Sequence, residues 1–327
     1  MNGVCVSETN HDPSIPASDG PFPTGRWPEG REPMQFGIML PMSQGEPGGT
    51  APTFAELVTM TRLADDVGID IAWYADHLVF QWPPDFEPVG AWEVMTFIAG
   101  IAAATERISL GTMVNCTGFR NAGLTAKIAE AIDEISGGRF ILGLGAGWHE
   151  PEYQMFGYPF DHRVGRFEDA IKIIQPLLAG GAVDYAGTYS QAVKAVNLPR
   201  GPRPEGPPII VGTSGERMLR LTARYADAWN TVWHTEASQT AENVAKLERS
   251  CAEVGRDPST IVRTVGGVIA MEGFDGDSEK AITGEPEQIA ETLRGFREAG
   301  FQHFLASLNP CTPETIAAYG RIIELVG

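Results

Sequence analysis

From residue 34 onward the sequence repeats one pattern eight times: a short apolar or β-branched run, then a longer stretch in which apolar residues recur at helical spacing. The short runs are 35–40, 70–75, 108–114, 139–144, 208–211, 227–231, 261–270 and 302–308. The helical stretches are 53–67, 91–105, 122–136, 163–179, 215–225, 238–254, 285–299 and 313–326. Strands buried on both faces read as near-continuous apolar runs, and the helices between them supply the cover. Local signals agree with this division. Thr53 stands three residues before Glu56 as a capping box, and Gly68, Gly137, Gly255 and Gly300 fall where C-terminal glycines belong. Eight strand-then-helix units in succession predict an α/β fold, a (β/α)8 TIM barrel, whose usual size of roughly 250 residues fits residues 34–327 with modest insertions. A doubly wound open sheet would use fewer strands, about five to seven.

Two segments exceed the minimal barrel: the aromatic stretch 148–162 after strand four, and 182–208 before strand five, where a hairpin-like VDYAGTYSQAVKAV precedes LPRGPRPEGPP. Both read as connectors, and no repeat at domain-sized period interrupts the pattern, so residues 34–327 are expected to form a single domain. Residues 1–33, rich in Pro, Gly, Ser and Asp, read as a flexible leader outside it. The N-terminus shows no basic stretch followed by an apolar one, and no apolar run approaches about 18 residues. The cysteines, Cys5, Cys116, Cys251 and Cys311, are scattered without CxxC spacing. A reducing cytoplasm, with no disulfide framework and no membrane contact, is the expected setting.

The charge balance narrows the partners. With 24 Lys+Arg against 42 Asp+Glu, the formal net charge is −18, a field that repels nucleic-acid backbones and anionic lipid. A small-molecule substrate is the expected partner. Any anionic ligand must then be held locally, by backbone N–H groups, helix N-termini or a few placed arginines.

In a barrel of this kind the chemistry sits where the βα loops converge, at the C-terminal ends of the strands. Strand two ends in Asp76-His77, and an imidazole there can transfer protons near neutral pH; a rim histidine merely satisfied by a carboxylate is the competing reading. Strand three runs into Met113, Val114, Asn115, Cys116 and Thr117, small and polar residues suited to lining a ligand. Cys116 reads as a lining residue, since a nucleophile needs a neighbouring base and cation that the sequence does not show. Strand four yields GLGAGW, in which Gly145, Ala146, Gly147 and Trp148 fail the dinucleotide fingerprint but permit close approach of backbone to a flat ligand. Strand five opens through Gly212, Thr213, Ser214 and Gly215 directly onto a helix, which suits an anion cradle or simply a capped turn. His149, Glu150, Glu152 and His162 do not have metal-ligand spacing, and Pro151 should break a helix there, so no metal site is expected.

Together these strings resemble the luciferase-like monooxygenase superfamily, and more narrowly its actinobacterial branch that uses the deazaflavin coenzyme F420. The resemblance runs through the ADH after strand two, TGFRNAGLTAKIAEAIDEISGGRFILGLGAGWHEPEY, PIIVGTSGERMLRLTARYADAWN and GEPEQIAETLRGFREAG, covering nearly all of the chain from Met34. It implies a flavin or deazaflavin with its ring at the barrel mouth. On that resemblance Asp76 and His77 match the acidic-His pair near the reactive ring. Met113 to Cys116 match a supporting bulge, where many members have a non-prolyl cis peptide. Gly145 to Trp148 match the loop beside the ring, and Gly212 to Gly215 match the phosphate loop. Arg120, Arg163, Arg166 and Arg217 are the candidate cations beside the phosphate. Ala122 replaces a usual Pro. Members that oxidise a sugar phosphate carry Glu where Trp148 stands, which argues against that activity.

The implied function is hydride transfer between coenzyme F420 and a small organic substrate, with His77 as acid/base or stabiliser of the reduced ring. An FMN-dependent monooxygenase, supplied by a separate reductase and walled by Trp148, Tyr153, Phe156 and Tyr158, is the alternative. A non-catalytic flavin-binding barrel is the third. Family habit implies a homodimer.

Overall fold

The computed structural model describes residues 22–45, 48–82 and 86–327. Eight parallel strands form the central sheet: β1 (Gln35–Leu40), β2 (Ile71–Tyr74), β3 (Ser109–Thr112), β4 (Phe140–Gly145), β5 (Ile209–Gly212), β6 (Ala228–Val232), β7 (Val262–Ala270) and β8 (His303–Asn309). Each pairs with the next in chain order, and β8 pairs back onto β1 with Gln35 opposite His303, so the sheet closes. One helix follows each strand around the barrel: α1 (Phe54–Asp66), α2 (Val94–Ala104), α3 (Ala122–Ser136), α4 (Arg163–Leu178), α5 (Glu216–Tyr225), α6 (Ala241–Val254), α7 (Pro286–Glu298) and α8 (Pro313–Val326). The expected TIM barrel is the fold found. Thr53 and Glu56 make the capping box, and Gly137 and Gly255 close α3 and α6 in left-handed conformation.

The barrel interior is a packed core of its own, built from Ile71, Trp73, Ile141, Ile210, Ala228 and Leu305. Trp73 dictates its neighbours. A Cβ on Gly111 would lie 2.3 Å from the indole, and one on Gly37 would lie 2.6 Å from both Trp73 and His303, so two strands must present glycine to admit one tryptophan.

The expected leader divides. Residues 1–21 lie outside the described residues, whereas residues 22–33 pack against the base of the barrel. Trp27 stacks on Trp73 with ring centroids 6.4 Å apart and donates to Gln35 Oε1 at 2.7 Å. Arg26 makes two bonds to the buried Asp227, 2.7 and 2.6 Å, and Arg31 N donates to Asp70 Oδ1 at 3.0 Å. Composition alone suggested solvent exposure here; a tryptophan and two arginines find specific partners only once β1, β2 and β6 are assembled.

The insertion at 182–208 contains the expected hairpin, Ala182–Ala186 paired with Gln191–Val196. It is anchored on Asp169 of α4, which accepts from Tyr185 Oη at 2.7 Å and from Tyr189 N at 2.7 Å. The insertion after β4 holds a short helix, Glu150–Phe156. Pro151 does not break it, because it occupies the first turn, where the missing N–H has no helical partner to lose. No helix among the described residues is long and apolar enough to cross a membrane.

One consequence is a pH dependence of stability. His303 is fully buried, accepts from Trp73 Nε1 at 3.2 Å, and burial pushes its pKa down to about 3. Burial lowers those of His149 and His234 as well. Between about pH 6.5 and the folded value the unfolded chain therefore binds more protons than the native one, so stability is full above that window and falls as pH drops into it. His303 alone should cost on the order of 1 kcal/mol between about pH 7.5 and about pH 5.5, read as a lower urea midpoint. A midpoint that does not move over this range would contradict the neutral buried imidazole.

Candidate active site

The mouth at the C-terminal ends of the strands is organised by a bulge after β3. The chain leaves β3 at Thr112, passes through a cis Met113–Val114 peptide, and pairs again with β4, Asn115 opposite Leu144 and Cys116 opposite Gly145. The cis bond lies in the segment where the family resemblance placed one. The sequence pattern read 108–114 as one unbroken strand; the break at Met113 is a tertiary feature.

Asp76 holds this bulge. Its Oδ2 accepts from Cys116 N at 2.8 Å and from Arg120 Nη1 at 2.7 Å, and its Oδ1 accepts from Arg120 Nη2 at 3.0 Å. Arg120 also bonds Glu93, whose carboxylate caps α2 by accepting from Thr96 N at 2.7 Å. Burial works against the guanidinium's charge, but the bonds and charges of Asp76 and Glu93 outweigh it and raise the Arg120 pKa. Asp76 was expected to reach the mouth beside His77; it is 3% exposed and turned inward, because a bidentate arginine claims it. Arg120 is likewise removed from the candidate phosphate cations.

His77 does reach the mouth, with 14% of its side chain exposed. Its Nδ1 donates to Glu152 Oε1 at 3.0 Å, and Glu152 Oε2 accepts from Leu78 N at 2.9 Å. Both carboxylate oxygens thus serve as acceptors for one loop, which fixes the ring and leaves Nε2 as the nitrogen for chemistry. Glu152 is the site residue that sequence reading missed, having weighed it only as a metal ligand. It lies 75 positions from His77. The one available signal was a carboxylate in the loop after β4, which only barrel closure brings opposite the loop after β2. Among the described residues no group of three or more His, Cys, Asp or Glu is arranged to hold a metal ion.

The glycines of β4 and of the loop that follows it have internal reasons. A Cβ on Gly143 would meet Thr112 O at 1.8 Å, one on Gly145 would meet Val114 Cγ2 at 2.5 Å, and one on Gly147 would meet Tyr153 Oη at 1.9 Å. Gly145 and Gly212 make room for the bulge side chain Val114, where close approach of a flat ligand had been expected. Tyr153 lies beneath, bonded to Cys116 Sγ at 2.9 Å and packed on Phe119. Burial pushes the Cys116 thiol up to about 11, so it carries no thiolate near neutrality. The expected aromatic wall does not form as a unit: Trp148 stands beside His77, but Tyr153 is buried in this cluster, Tyr158 packs at a tilt on Phe119, and Phe156 is exposed.

Across the mouth, residues 212–215 lead into α5. Gly215 caps that helix without a side-chain bond, leaving its first N–H groups open. Beside it lies a cleft of about 560 Å³ whose lining includes His162, Arg163, Thr188, Tyr189 and Arg217. Arg166 stacks over Tyr189 at 4.6 Å. Two of the four expected cations, Arg163 and Arg217, therefore line this cleft; Arg217 pairs with Glu168 at 2.6 Å and Arg166 with Asp161 at 2.9 Å, both at more exposed positions than Arg120.

This mouth sits within a family match. The family model for luciferase-like monooxygenases matches residues 34–273. The chain belongs to that family. A phthiodiolone/phenolphthiodiolone dimycocerosates ketoreductase of Mycobacterium kansasii is 31% identical over 73% of this chain and 68% of its own length. A 5,10-methylenetetrahydromethanopterin reductase of Archaeoglobus fulgidus is 32% identical over 53% of this chain and 48% of its own. Among solved structures, an F420-dependent secondary alcohol dehydrogenase bound to an F420–acetone adduct matches with TM-score 0.74 at 19% identity, covering 90% of this chain and 99% of that one. The monooxygenase RslO1 of Streptomyces bottropensis matches with TM-score 0.70 at 21% identity, covering 89% and 97%. The two structures share the barrel. Like its relatives, the chain is an oxidoreductase of the luciferase-like family.

Proposed function

We propose that this chain transfers a hydride between the deazaflavin coenzyme F420 and a small organic carbonyl or alcohol, with His77 exchanging the accompanying proton. The observation that carries this is the His77–Glu152 pair, a fixed imidazole at the mouth beside the bulge. The similar ketoreductase and the alcohol dehydrogenase fold support the same reaction type.

The residues fit such a cofactor. The Asn115 amide is fully buried with neither polar atom bonded, an orphan that a ligand with hydrogen-bonding groups at the bulge would satisfy. The open N-terminus of α5 and residues Gly212 to Gly215, with Arg163, Arg166 and Arg217 nearby, would hold its phosphate against the −18 background. Val114, with Met113 behind it, would support the ring, and Ala146 and Trp148 would border it. The bound deazaflavin supplies the two-electron chemistry. Asp76 and Arg120 fix the bulge; Glu152 fixes the imidazole; His77 Nε2 gives or takes the proton at the substrate oxygen.

The test is separate titration of the apoprotein with F420 and with FMN, followed by absorbance. F420 is expected to bind at least about tenfold tighter, a difference of about 1.4 kcal/mol. Binding of neither refutes the cofactor reading. Preference for FMN, with substrate-dependent O2 consumption when a reductase supplies reduced flavin, would replace it with monooxygenation.

A further inference from the structure

The seven tryptophans of the chain are not scattered. Trp73 and Trp229 are buried, and Trp27 stacks beneath the barrel. The four exposed ones, Trp82, Trp92, Trp148 and Trp233, all lie in βα loops, after β2, β4 and β6. Trp82 and Trp148 stack with centroids 5.3 Å apart at 26°, although they are 56% and 53% exposed, and Trp148 meets the His77 ring edge-on at 5.5 Å. Phe80 continues this shelf at 4.2 Å from His77. Trp233 faces solvent from β6, across the barrel from β2, at 68% exposure.

Trp233 is held there by its backbone. Its φ of 68° is a left-handed conformation that a bulky side chain rarely adopts. The next residue enforces it: His234 is buried, its N bonds Gly266 O at 3.3 Å, and its Nε2 bonds Thr231 Oγ1 at 2.8 Å. A Cβ on Gly267 would sit 2.4 Å from His234 O, so the anchor depends on glycine there. Indoles grouped in this way at one opening leave apolar surface that water solvates poorly.

Charge divides the same mouth into two arcs. The loops after β1, β2, β6 and β8 contain no Lys or Arg, and the loop after β7 has Lys280 alone, already paired with Asp277 at 2.9 Å. That loop also carries Glu272, Asp275 and Glu279. Arg120, Arg163, Arg166 and Arg217 all lie along the β3–β5 arc, where the β4 loop also carries Trp148 at the edge that meets Trp82. An anion entering between β6 and β2 meets carboxylates and indoles with no free cation to receive it.

Resting on the hydride-transfer reading above, we propose that the substrate is a neutral compound with an extended apolar body, whose reacting carbon–oxygen group lies at His77 while its body lies on the Trp82–Trp148 shelf, with Trp233 on the opposite rim. Sugar phosphates and other anionic substrates are excluded from this arc.

The test is calorimetric titration of protein loaded with its oxidised cofactor. The probes are aliphatic methyl ketones of about four to about twelve carbons, the same ketones bearing a terminal carboxylate, and the same bearing a terminal ammonium. Affinity of the neutral series should rise about threefold to fourfold per methylene until the shelf is covered. Carboxylated counterparts should bind at least about tenfold more weakly. Trp82→Ala and Trp233→Ala should each weaken the longer ketones by up to about tenfold while the cofactor Kd stays unchanged, which also reports that the barrel is intact. A flat chain-length series, or tighter binding of the carboxylate or the ammonium probes, overturns the proposal. If neither F420 nor FMN binds, the same series is run on unloaded protein. A retained slope there sinks the cofactor reading alone, and a flat one sinks both.

Discussion

His77→Ala should lower turnover by about 10²–10⁴-fold while leaving the cofactor Kd within a factor of about two, because a positioned acid/base contributes to the transition state and not to cofactor binding. The structure fixes the imidazole through Glu152 and leaves 14% of its side chain open at the mouth. Glu152→Gln should act through it. An amide can replace one accepted bond but not both, so either His77 Nδ1–H or Leu78 N loses its acceptor. The ring then samples the wrong tautomer, and kcat should fall by about tenfold to a hundredfold with KM nearly unchanged. A ¹⁵N spectrum separates this positioning role from a merely structural one: the native ring should show a single Nδ1-protonated tautomer and the variant a mixture. Retention of more than about a tenth of the activity by His77→Ala would remove His77 from the chemistry. A non-catalytic barrel would show no turnover to lose in any of these proteins.

The second large effect concerns Arg120. Arg120→Leu strands the Asp76 carboxylate, 3% exposed, without its cation and loosens Glu93 at the start of α2. Breaking a buried pair by removing one partner costs about 3–5 kcal/mol, since the remaining charge stays desolvated. The expected result is a loss of that size in urea unfolding, with cofactor affinity also reduced because the bulge loses its anchor. Adding Asp76→Asn in the same chain should recover part of the loss, as removal of the stranded charge makes the two substitutions non-additive. A cost below about 1 kcal/mol for Arg120→Leu would show that water reaches Asp76 and that the network does not hold the bulge.

Much of the barrel was legible because its units are local. The apolar run 35–40 is β1 to the residue, and the capping box at Thr53 begins α1. Boundaries moved where tertiary contacts intervene. Asp70, read as the first residue of strand two, instead accepts from Phe36 N at 2.8 Å and Arg31 N at 3.0 Å at the barrel base. The helical stretch from 238 begins as a short 3-10 turn, Ala237–Thr240, before α6. Residues 22–33 were illegible for a different reason: their Pro and Gly content describes how freely they move alone, not what Trp27 and Arg26 meet once the barrel exists.

The site was legible as positions but not as relations. His77, the bulge segment and the residue 212–215 turn were found because strand ends define the mouth of this fold. That Asp76 faces Arg120, that Val114 fills the space left by Gly145 and Gly212, and that Glu152 orients His77 are contacts between residues 31 to 98 positions apart, counting from Val114 to Gly145 and Gly212, Asp76 to Arg120 and His77 to Glu152.

By itself, then, the sequence determined the closed α/β architecture, the ends of its strands and the acidic field around it, since periodicity, capping and charge are properties of neighbouring residues. Tertiary structure alone decided which carboxylate serves His77, which glycines serve packing, and that Trp82 of the arginine-free arc meets Trp148 of the arginine-bearing one at a single mouth. Those are consequences of closure, which brings eight loops distant in the chain to a single ring and sorts their side chains by which neighbour each one meets.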